Sequence, residues 1–246
     1  MFSKVKSVIH RVHYASNLVM NYNGSPSTFI HIPKCAGTMV RFTPFLAGRI
    51  VPIKHRDLDS VYVKDFKKLM RSLNEHKGIE HARYIDIKPS RRPKKCFAVV
   101  RNPWDRVASR YFFAKQLQEA DGRYSKKKPT IGSFEEFLEE RHIWGKREFM
   151  WHRAVRGWYQ CTDYVCDENG QIRCDILKFE NLNQELQQYF MVSEVGRKRN
   201  VSKGKTILSE LYTEKTIQIV ADWYSHDIEV FGYDFLGGAT KNTYYP

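Results

Sequence analysis

The apolar positions of this chain fall into two recurring arrangements: short unbroken runs that stop at a cation, and longer stretches with apolar residues three and four apart. Phe29-Ile30-His31-Ile32 leads into Pro33-Lys34-Cys35-Ala36-Gly37-Thr38, and Phe97-Ala98-Val99-Val100 leads into Arg101-Asn102-Pro103. Apolar runs of this length bounded by turn residues predict buried strands, the first from Thr28 to Ile32. After the second run, Trp104, Val107, Ala108, Tyr111 and Phe112 keep the i, i+3, i+4, i+7, i+8 spacing of a helix with one apolar face. Asn102 suits the N-cap of that helix and Pro103 its first turn.

The same reading extends along the chain. Ser60 to Leu73 predicts an amphipathic helix through Val61, Phe66, Leu69 and Met70, followed by a polar stretch from Asn74 to Gly78. Asp121 to Gly132, rich in Lys, Gly and Ser, predicts a flexible loop, and Ser133-Phe134-Glu135-Glu136 has the form of a capping box opening a helix. Tyr164 to Cys166 and Ile172 to Leu177 flank Asp167-Glu168-Asn169-Gly170, which predicts a hairpin turn. Thr213 to Trp223 reads as a helix with Ile217, Val220 and Ala221 inward. Pro44 predicts that the helix after Gly37 stops or kinks near Thr43, because a proline there removes a helix hydrogen bond. No internal repeat or low-complexity tract interrupts this order. Strands alternating with helices predict an α/β fold: three layers, a central mostly parallel sheet flanked by helices.

Each cation-ended strand runs through a turn into a helix, and a helix N-terminus with unpaired N–H groups favours an anion. Two such units predict two anion sites. In the first, Lys34 supplies a point charge, Gly37 a place where backbone can approach a ligand, and Thr38 a hydroxyl. The lysine precedes the glycine by three positions, whereas the Walker A pattern places it after the second glycine. In the second, Arg101 at the helix mouth and Ser109 two turns along reach one phosphate only if it lies beside the helix.

These two segments resemble the cofactor signatures of sulfotransferases that use 3′-phosphoadenosine 5′-phosphosulfate (PAPS). The nearest likeness is to the carbohydrate (heparan 2-O-type) sulfotransferases and their bacterial relatives, above all in Val100-Arg101-Asn102-Pro103-Trp104-Asp105-Arg106-Val107. Ile176-Leu177-Lys178-Phe179-Glu180-Asn181-Leu182 and Asp227 to Phe235 continue it, so that it covers roughly residues 27 to 236. The resemblance implies a P-loop-like nucleotide-binding (sulfotransferase) fold as a single domain over 27–246, preceded by an arm or helix over 1–26. It implies that Lys34, Cys35, Ala36, Gly37, Thr38 and Met39 bind the 5′-phosphosulfate, that Arg101 and Ser109 hold the 3′-phosphate, and that Lys203 and Gly204 close over the nucleotide. Cys35 and Met39 stand where the family commonly has Thr or Ser, which removes two side-chain donors and leaves the backbone N–H groups. His81, in His81-Ala82-Arg83-Tyr84-Ile85, resembles the family's catalytic base, with Lys34 neutralising charge at the leaving oxygen. His31 and His55 are the next candidates among nine histidines, and His142, His152 and His226 read as packing or surface residues. The implied reaction is in-line transfer of a sulfuryl group from PAPS to an acceptor hydroxyl on a carbohydrate, with no metal and with 3′-phosphoadenosine 5′-phosphate (PAP) as product.

Composition bounds what else the chain can do. Its 246 residues suit one domain with a substantial core. The 41 basic residues against 27 acidic, a formal charge of +14, come in clusters at Arg91 to Lys95, Lys126 to Lys128 and Arg197 to Lys205. They exceed what one nucleotide needs and point to an acidic acceptor such as an acidic glycan. Trp151, Trp158 and Tyr159 read first as core packing, with lining an acceptor cleft as the alternative. A kinase-like phosphotransferase lacks its Walker lysine and metal carboxylates, and a basic nucleic-acid binder lacks zinc spacing or an aromatic RNA-binding motif. Five cysteines without CxxC pairs predict reduced thiols, although Cys161 and Cys174 could pair across the hairpin. No run approaches the roughly 20 apolar residues of a membrane span, and residues 1–22 are too interrupted by Lys4, Lys6, His10, Arg11 and His13 for a secretory segment. The expected setting is cytoplasmic, a trimmed Golgi lumenal domain being the alternative.

Overall fold

The computed structural model of the protein describes residues 26–72, 79–120, 131–148, 155–192 and 206–243. The arm up to residue 25, most of the Asp121–Gly132 loop and the Arg197–Lys205 loop with Lys203 and Gly204 lie outside them, as do Trp151 and His152.

Four strands, β1 (Ser27–Ile30), β2 (Ile50–Pro52), β3 (Cys96–Val100) and β4 (Asp175–Lys178), form one parallel sheet in the order β2-β1-β3-β4. Every residue of β3 is buried, as a central parallel strand covered on both faces requires. Thr28 pairs with Cys96, Ile30 with Ala98, and Val100 with Lys178. β2 is an exposed edge ending at Pro52, which limits further pairing. The chain leaves β1 toward β2 and leaves β3 toward β4, so the strand order reverses between β1 and β3. The crevice above the C-terminal ends of two such strands is where open α/β sheets bind ligands.

The helices follow local chemistry. Helix Pro103–Ala120 starts where the Asn102 carboxamide oxygen accepts the Trp104 and Asp105 N–H groups at 3.0 and 3.3 Å. Trp104, Val107, Ala108 and Tyr111 are buried on its inner face, while Phe112 is 36% exposed, at the edge of the stripe rather than within it. Helix Glu214–Trp223 packs against it, with the Trp104 indole N–H donating to the Ile217 carbonyl at 3.0 Å. The Ser133–Glu136 capping box forms and opens helix Phe134–Trp144. Helix Gly37–Phe42 stops before Pro44, and the Thr43 hydroxyl donates back to the Met39 carbonyl.

Three local expectations are corrected. Val61 is 64% exposed on helix Ser60–Ser72, which buries Phe66 and Met70 and packs Leu69 against the core as expected. The Asp167–Gly170 turn is present, with Gly170 at φ +76°, but Thr162–Val165 is a helical turn and only a Cys166–Ile172 bridge flanks the turn. β4 pairs instead with β3, because burying Ile176 and Leu177 in the sheet gains more than a solvated hairpin would. Cys174 lies 3.2 Å from Cys96, its neighbour across the strands, and not against Cys161; all five cysteines are free thiols.

Asp227, fully buried on helix Ser225–Phe231, accepts the Cys161 and Thr162 N–H groups at 2.6 and 2.8 Å and the Thr162 hydroxyl at 2.9 Å. A buried donor left unpaired costs about 1–3 kcal/mol, so Asp227→Ala is expected to lower the unfolding free energy by about 3 kcal/mol in urea denaturation. A loss below about 1 kcal/mol would mean that solvent already satisfies these donors.

Candidate active site

β1 ends at Ile30, and the chain turns over the sheet through His31 to Ala36 before helix Gly37–Phe42 begins. Lys34 at φ 66° and Ala36 at φ 58° both adopt the left-handed region, which costs a residue with a Cβ about 1–2 kcal/mol. The first backbone bond of the helix runs from the Val40 N–H to the Ala36 carbonyl, so the Gly37, Thr38 and Met39 N–H groups form its unpaired first turn. Cys35 faces inward and is fully buried, its N–H donating to the Ile32 carbonyl at 3.3 Å. Its side chain packs inward, away from the mouth of the loop.

Gly37 is required by packing. A Cβ on it would stand 1.5 Å from His31 Nε2, so the imidazole occupies the room that any side chain would need. The His31 ring stacks on Phe29 at 5.2 Å and meets the His81 ring at 4.1 Å. Burial first, then the His81 and Arg41 charges, hold it well below the usual histidine range, so it is neutral at pH 7. His81 closes the short helical turn Ile79–His81, and its Nδ1 lies 2.8 Å from the His31 carbonyl oxygen. A carbonyl can only accept, so Nδ1 carries the proton and Nε2 is the basic atom of the neutral ring. His55 lies in an exposed turn beyond β2, His142 is paired with Glu139 at 3.6 Å, and His226 is exposed.

The second loop locks onto the first. Arg101 Nη1 donates to the Lys34 carbonyl at 2.8 Å and Nε to Asp105 at 2.7 Å, while its guanidinium lies 4.0 Å above the Phe179 ring. Pairing with a residue one turn along places the guanidinium beside the helix, not over its axis. Ser109 follows Asp105 by one turn on the same face, and Phe113 follows by one more. The Lys34 ammonium rests 4.1 Å above the Phe113 ring, so Lys34 and Arg101 meet along one flank of helix Pro103–Ala120, the flank on which Ser109 stands between Asp105 and Phe113. Burial, then Arg101 and Arg110, pull the Lys34 ammonium down to about 8. A cation surrounded by cations in a desolvated crevice is held ready for an anion.

Glu180 and Asn102 hold the loops together as structural groups, and Arg106 and Arg110 add supports that the sequence pattern did not single out. Glu180 accepts the Asn102 N–H at 2.8 Å, and the Asn102 carboxamide N–H₂ donates to the Asp234 and Gly237 carbonyls, both at 2.8 Å. Arg106, fully buried, donates from Nε to the Pro33 carbonyl at 3.1 Å and from Nη1 to the Tyr159 carbonyl at 2.8 Å. Arg110 donates to Val155 and Tyr224 and lies over Trp158, which is core and not cleft. The available signal was the i, i+4 pair of arginines beside an apolar stripe. Tyr159 is half-buried with Arg83 over its ring at 5.9 Å, two residues past His81.

The profile of the sulfotransferase family matches residues 27–234, the whole span that carries both loops. The chain belongs to the sulfotransferase family. No curated protein and no solved structure gives a significant match. This sulfotransferase has the four-stranded parallel sheet and flanking helices expected of that fold. Among its described residues no group of histidine, cysteine and carboxylate side chains is arranged to hold a metal ion, and no helix is long and apolar enough to cross a membrane.

Proposed function

We propose that this sulfotransferase moves a sulfuryl group from PAPS to a hydroxyl of a carbohydrate, in line and without a resident metal. The observation that carries this reading is the hydrogen bond from Arg101 to the Lys34 carbonyl, which joins two anion-favouring loops at the strand-order reversal. The residues fit a bisphosphorylated nucleotide: Arg101 and Ser109 share one helix flank for the 3′-phosphate, and the first-turn N–H groups of Gly37 to Met39, with the Lys34 ammonium, suit the 5′ end. Lys203 and Gly204 complete the proposed contacts from outside the described residues.

The donor supplies a sulfuryl group whose bond to a phosphate oxygen is the bond broken. Lys34 stabilises negative charge at the departing oxygen, the larger electrostatic contribution. His81 Nε2 takes the acceptor proton, its ring oriented by the His31 carbonyl. Arg83, two residues past His81 and paired with Asp86, lies over the half-buried Tyr159 ring, and this aromatic and cationic pair is the proposed contact for a sugar. The basic surface suits an acidic glycan, and five free thiols are consistent with a cytoplasmic setting.

Thermal denaturation with ligands tests the reading. PAP at one hundred times its Kd is expected to stabilise the fold by about 2.7 kcal/mol, with no comparable effect of 5′-AMP or of ATP with magnesium. Equal stabilisation by ATP with magnesium would favour phosphoryl transfer, and stabilisation only by oligonucleotides would favour nucleic-acid binding.

A further inference from the structure

Two successive carbonyls of the donor loop are held by arginines. Arg101 Nη1 donates to the Lys34 carbonyl at 2.8 Å, and Arg106 Nε donates to the Pro33 carbonyl at 3.1 Å. Arg106 also reaches away from the loop, its Nη1 donating to the Tyr159 carbonyl at 2.8 Å. One planar fork thus joins the residue before Lys34 to the backbone of Tyr159, the ring over which Arg83 lies. The Tyr159 end is fixed from its other side. The Tyr159 hydroxyl donates to the Arg147 carbonyl at 3.2 Å, the Gln160 N–H to Asp163 at 2.8 Å, and the Cys161 and Thr162 N–H groups to Asp227 at 2.6 and 2.8 Å.

Stability alone does not account for such a residue. Arg106 is fully buried, and its Nη2 has no hydrogen-bond partner among the described residues. A buried guanidinium is costly to desolvate, and an apolar side chain of similar volume often serves a fold as well or better. A buried donor left unpaired adds about 1–3 kcal/mol to that cost. What an apolar side chain cannot do is hold two carbonyls of distant segments at one spacing. Arg110, one turn along the same helix, marks the difference. It is equally buried and donates to the Val155 carbonyl and the Tyr224 hydroxyl, neither of which belongs to the donor loop.

We propose that Arg106 is a positioning residue that ties the Tyr159 segment to the donor loop, so that binding of the donor also sets the ring offered to the acceptor; this rests on the PAPS reading above. Arg106 itself touches neither reactant and acts through two backbone carbonyls. In-line transfer needs the acceptor oxygen about 3–3.5 Å from the sulfur and aligned with the breaking bond, and a misplacement of about 1 Å can cost about 100-fold in rate. A donor loop and a Tyr159 segment that moved independently would not keep that geometry. Coupling is reciprocal, so an acceptor that orders the Tyr159 segment also tightens donor binding. Lysine in place of Arg106 keeps the charge but offers one nitrogen instead of a fork.

Native-state hydrogen exchange of the full chain tests this, on the parent, Arg106→Lys and Arg110→Lys, each with and without PAP. The Cys35 and Val40 amides, bonded to the Ile32 and Ala36 carbonyls, report the donor loop, and the Gln160, Cys161 and Thr162 amides report the Tyr159 segment. In the unliganded parent the two groups are expected to open together, with one free energy and one denaturant slope, both below those of global unfolding. PAP at one hundred times its Kd should slow both groups by about 100-fold. In Arg106→Lys PAP should still slow the donor loop, while the Tyr159 segment exchanges faster than in the parent and ignores PAP. Arg110→Lys should keep the two groups linked. Independent opening in the unliganded parent, a parent in which PAP slows the donor loop alone, linkage retained in Arg106→Lys, or linkage lost equally in Arg110→Lys would each overturn the proposal. If Arg106→Lys does not fold, the two parent measurements decide. A parent whose donor loop ignores PAP sinks the donor assignment instead, and the unliganded comparison of parent with Arg106→Lys still decides whether Arg106 links the segments.

Discussion

Lys34→Ala is expected to lower kcat/KM by about 100- to 1000-fold, the range for removing one preorganised donor to developing charge, and to abolish the stabilisation by PAP. The fold should persist, because losing the buried ammonium removes a cation held beside other cations, while the Lys34 backbone carbonyl keeps the bond to Arg101. The same ammonium gives a pH signature. It is held at about 8 in the free protein, against an ordinary value of 10.5, by burial and then by Arg101 and Arg110. A bound anion raises it again. Below pH 8 the lysine is charged in both free and bound protein, and donor affinity is flat. Above pH 8 the free protein must take up a proton to bind, so affinity falls, by up to about tenfold per pH unit. Folding stability moves oppositely: above pH 8 the unfolded lysine still binds its proton while the folded one does not, so this group favours the folded state more as pH rises toward 10.5. Isothermal titration with PAP between pH 7 and 9.5 reads the first effect. Lys34→Arg, whose charge does not titrate there, should flatten the profile. An unchanged profile in that variant would assign the pH dependence to another group.

His81→Ala is the second large effect. Losing a positioned general base lowers kcat by about 100- to 10,000-fold, and here the PAP stabilisation should survive, because His81 meets the loop at the His31 carbonyl and ring, away from the Lys34 ammonium and the first-turn N–H groups. Lys34→Ala and His81→Ala thus separate by their ligand response: the first loses both binding and turnover, the second turnover alone. Loss of PAP stabilisation in His81→Ala would make His81 a support of the loop and not a base. His31→Ala probes that support directly. It opens the space against Gly37 and lets the backbone carbonyl that anchors His81 Nδ1 shift, so it should affect binding and turnover together.

Much of the site was legible because it is local. The run into Lys34, the Asn102–Pro103 start and the Trp104–Tyr111 stripe are each set by neighbours within a few residues, and the structure builds all three. Pro44 stopped its helix for the steric reason that it stops any helix. What was not legible is long-range. The Asp167–Gly170 turn has hairpin chemistry, yet the choice between a hairpin and a parallel strand on β3 depends on a partner some eighty residues earlier. Cys35 sits in a loop that reads as ligand-binding, but the segments that pack around the loop from far along the chain leave its thiol fully buried. Gly37 reads as an opening for a ligand and is filled by His31, six residues before it. The inward roles of Arg106 and Arg110 are not legible, since a sequence does not display the carbonyls of Pro33, Tyr159 and Val155 that receive them.

The Arg106 fork has a consequence for how the protein comes into being. It spans residues 33, 106 and 159, and Asn102 reaches on to residue 237. Contacts so distant in sequence form only after the intervening chain has collapsed, because closing long loops carries entropy that local contacts do not repay. During synthesis β1 and its loop emerge long before the residues that shape them. The nascent chain can pair β1 with β3 while its donor loop is still without form, and the crevice takes shape only when the last helix has been delivered.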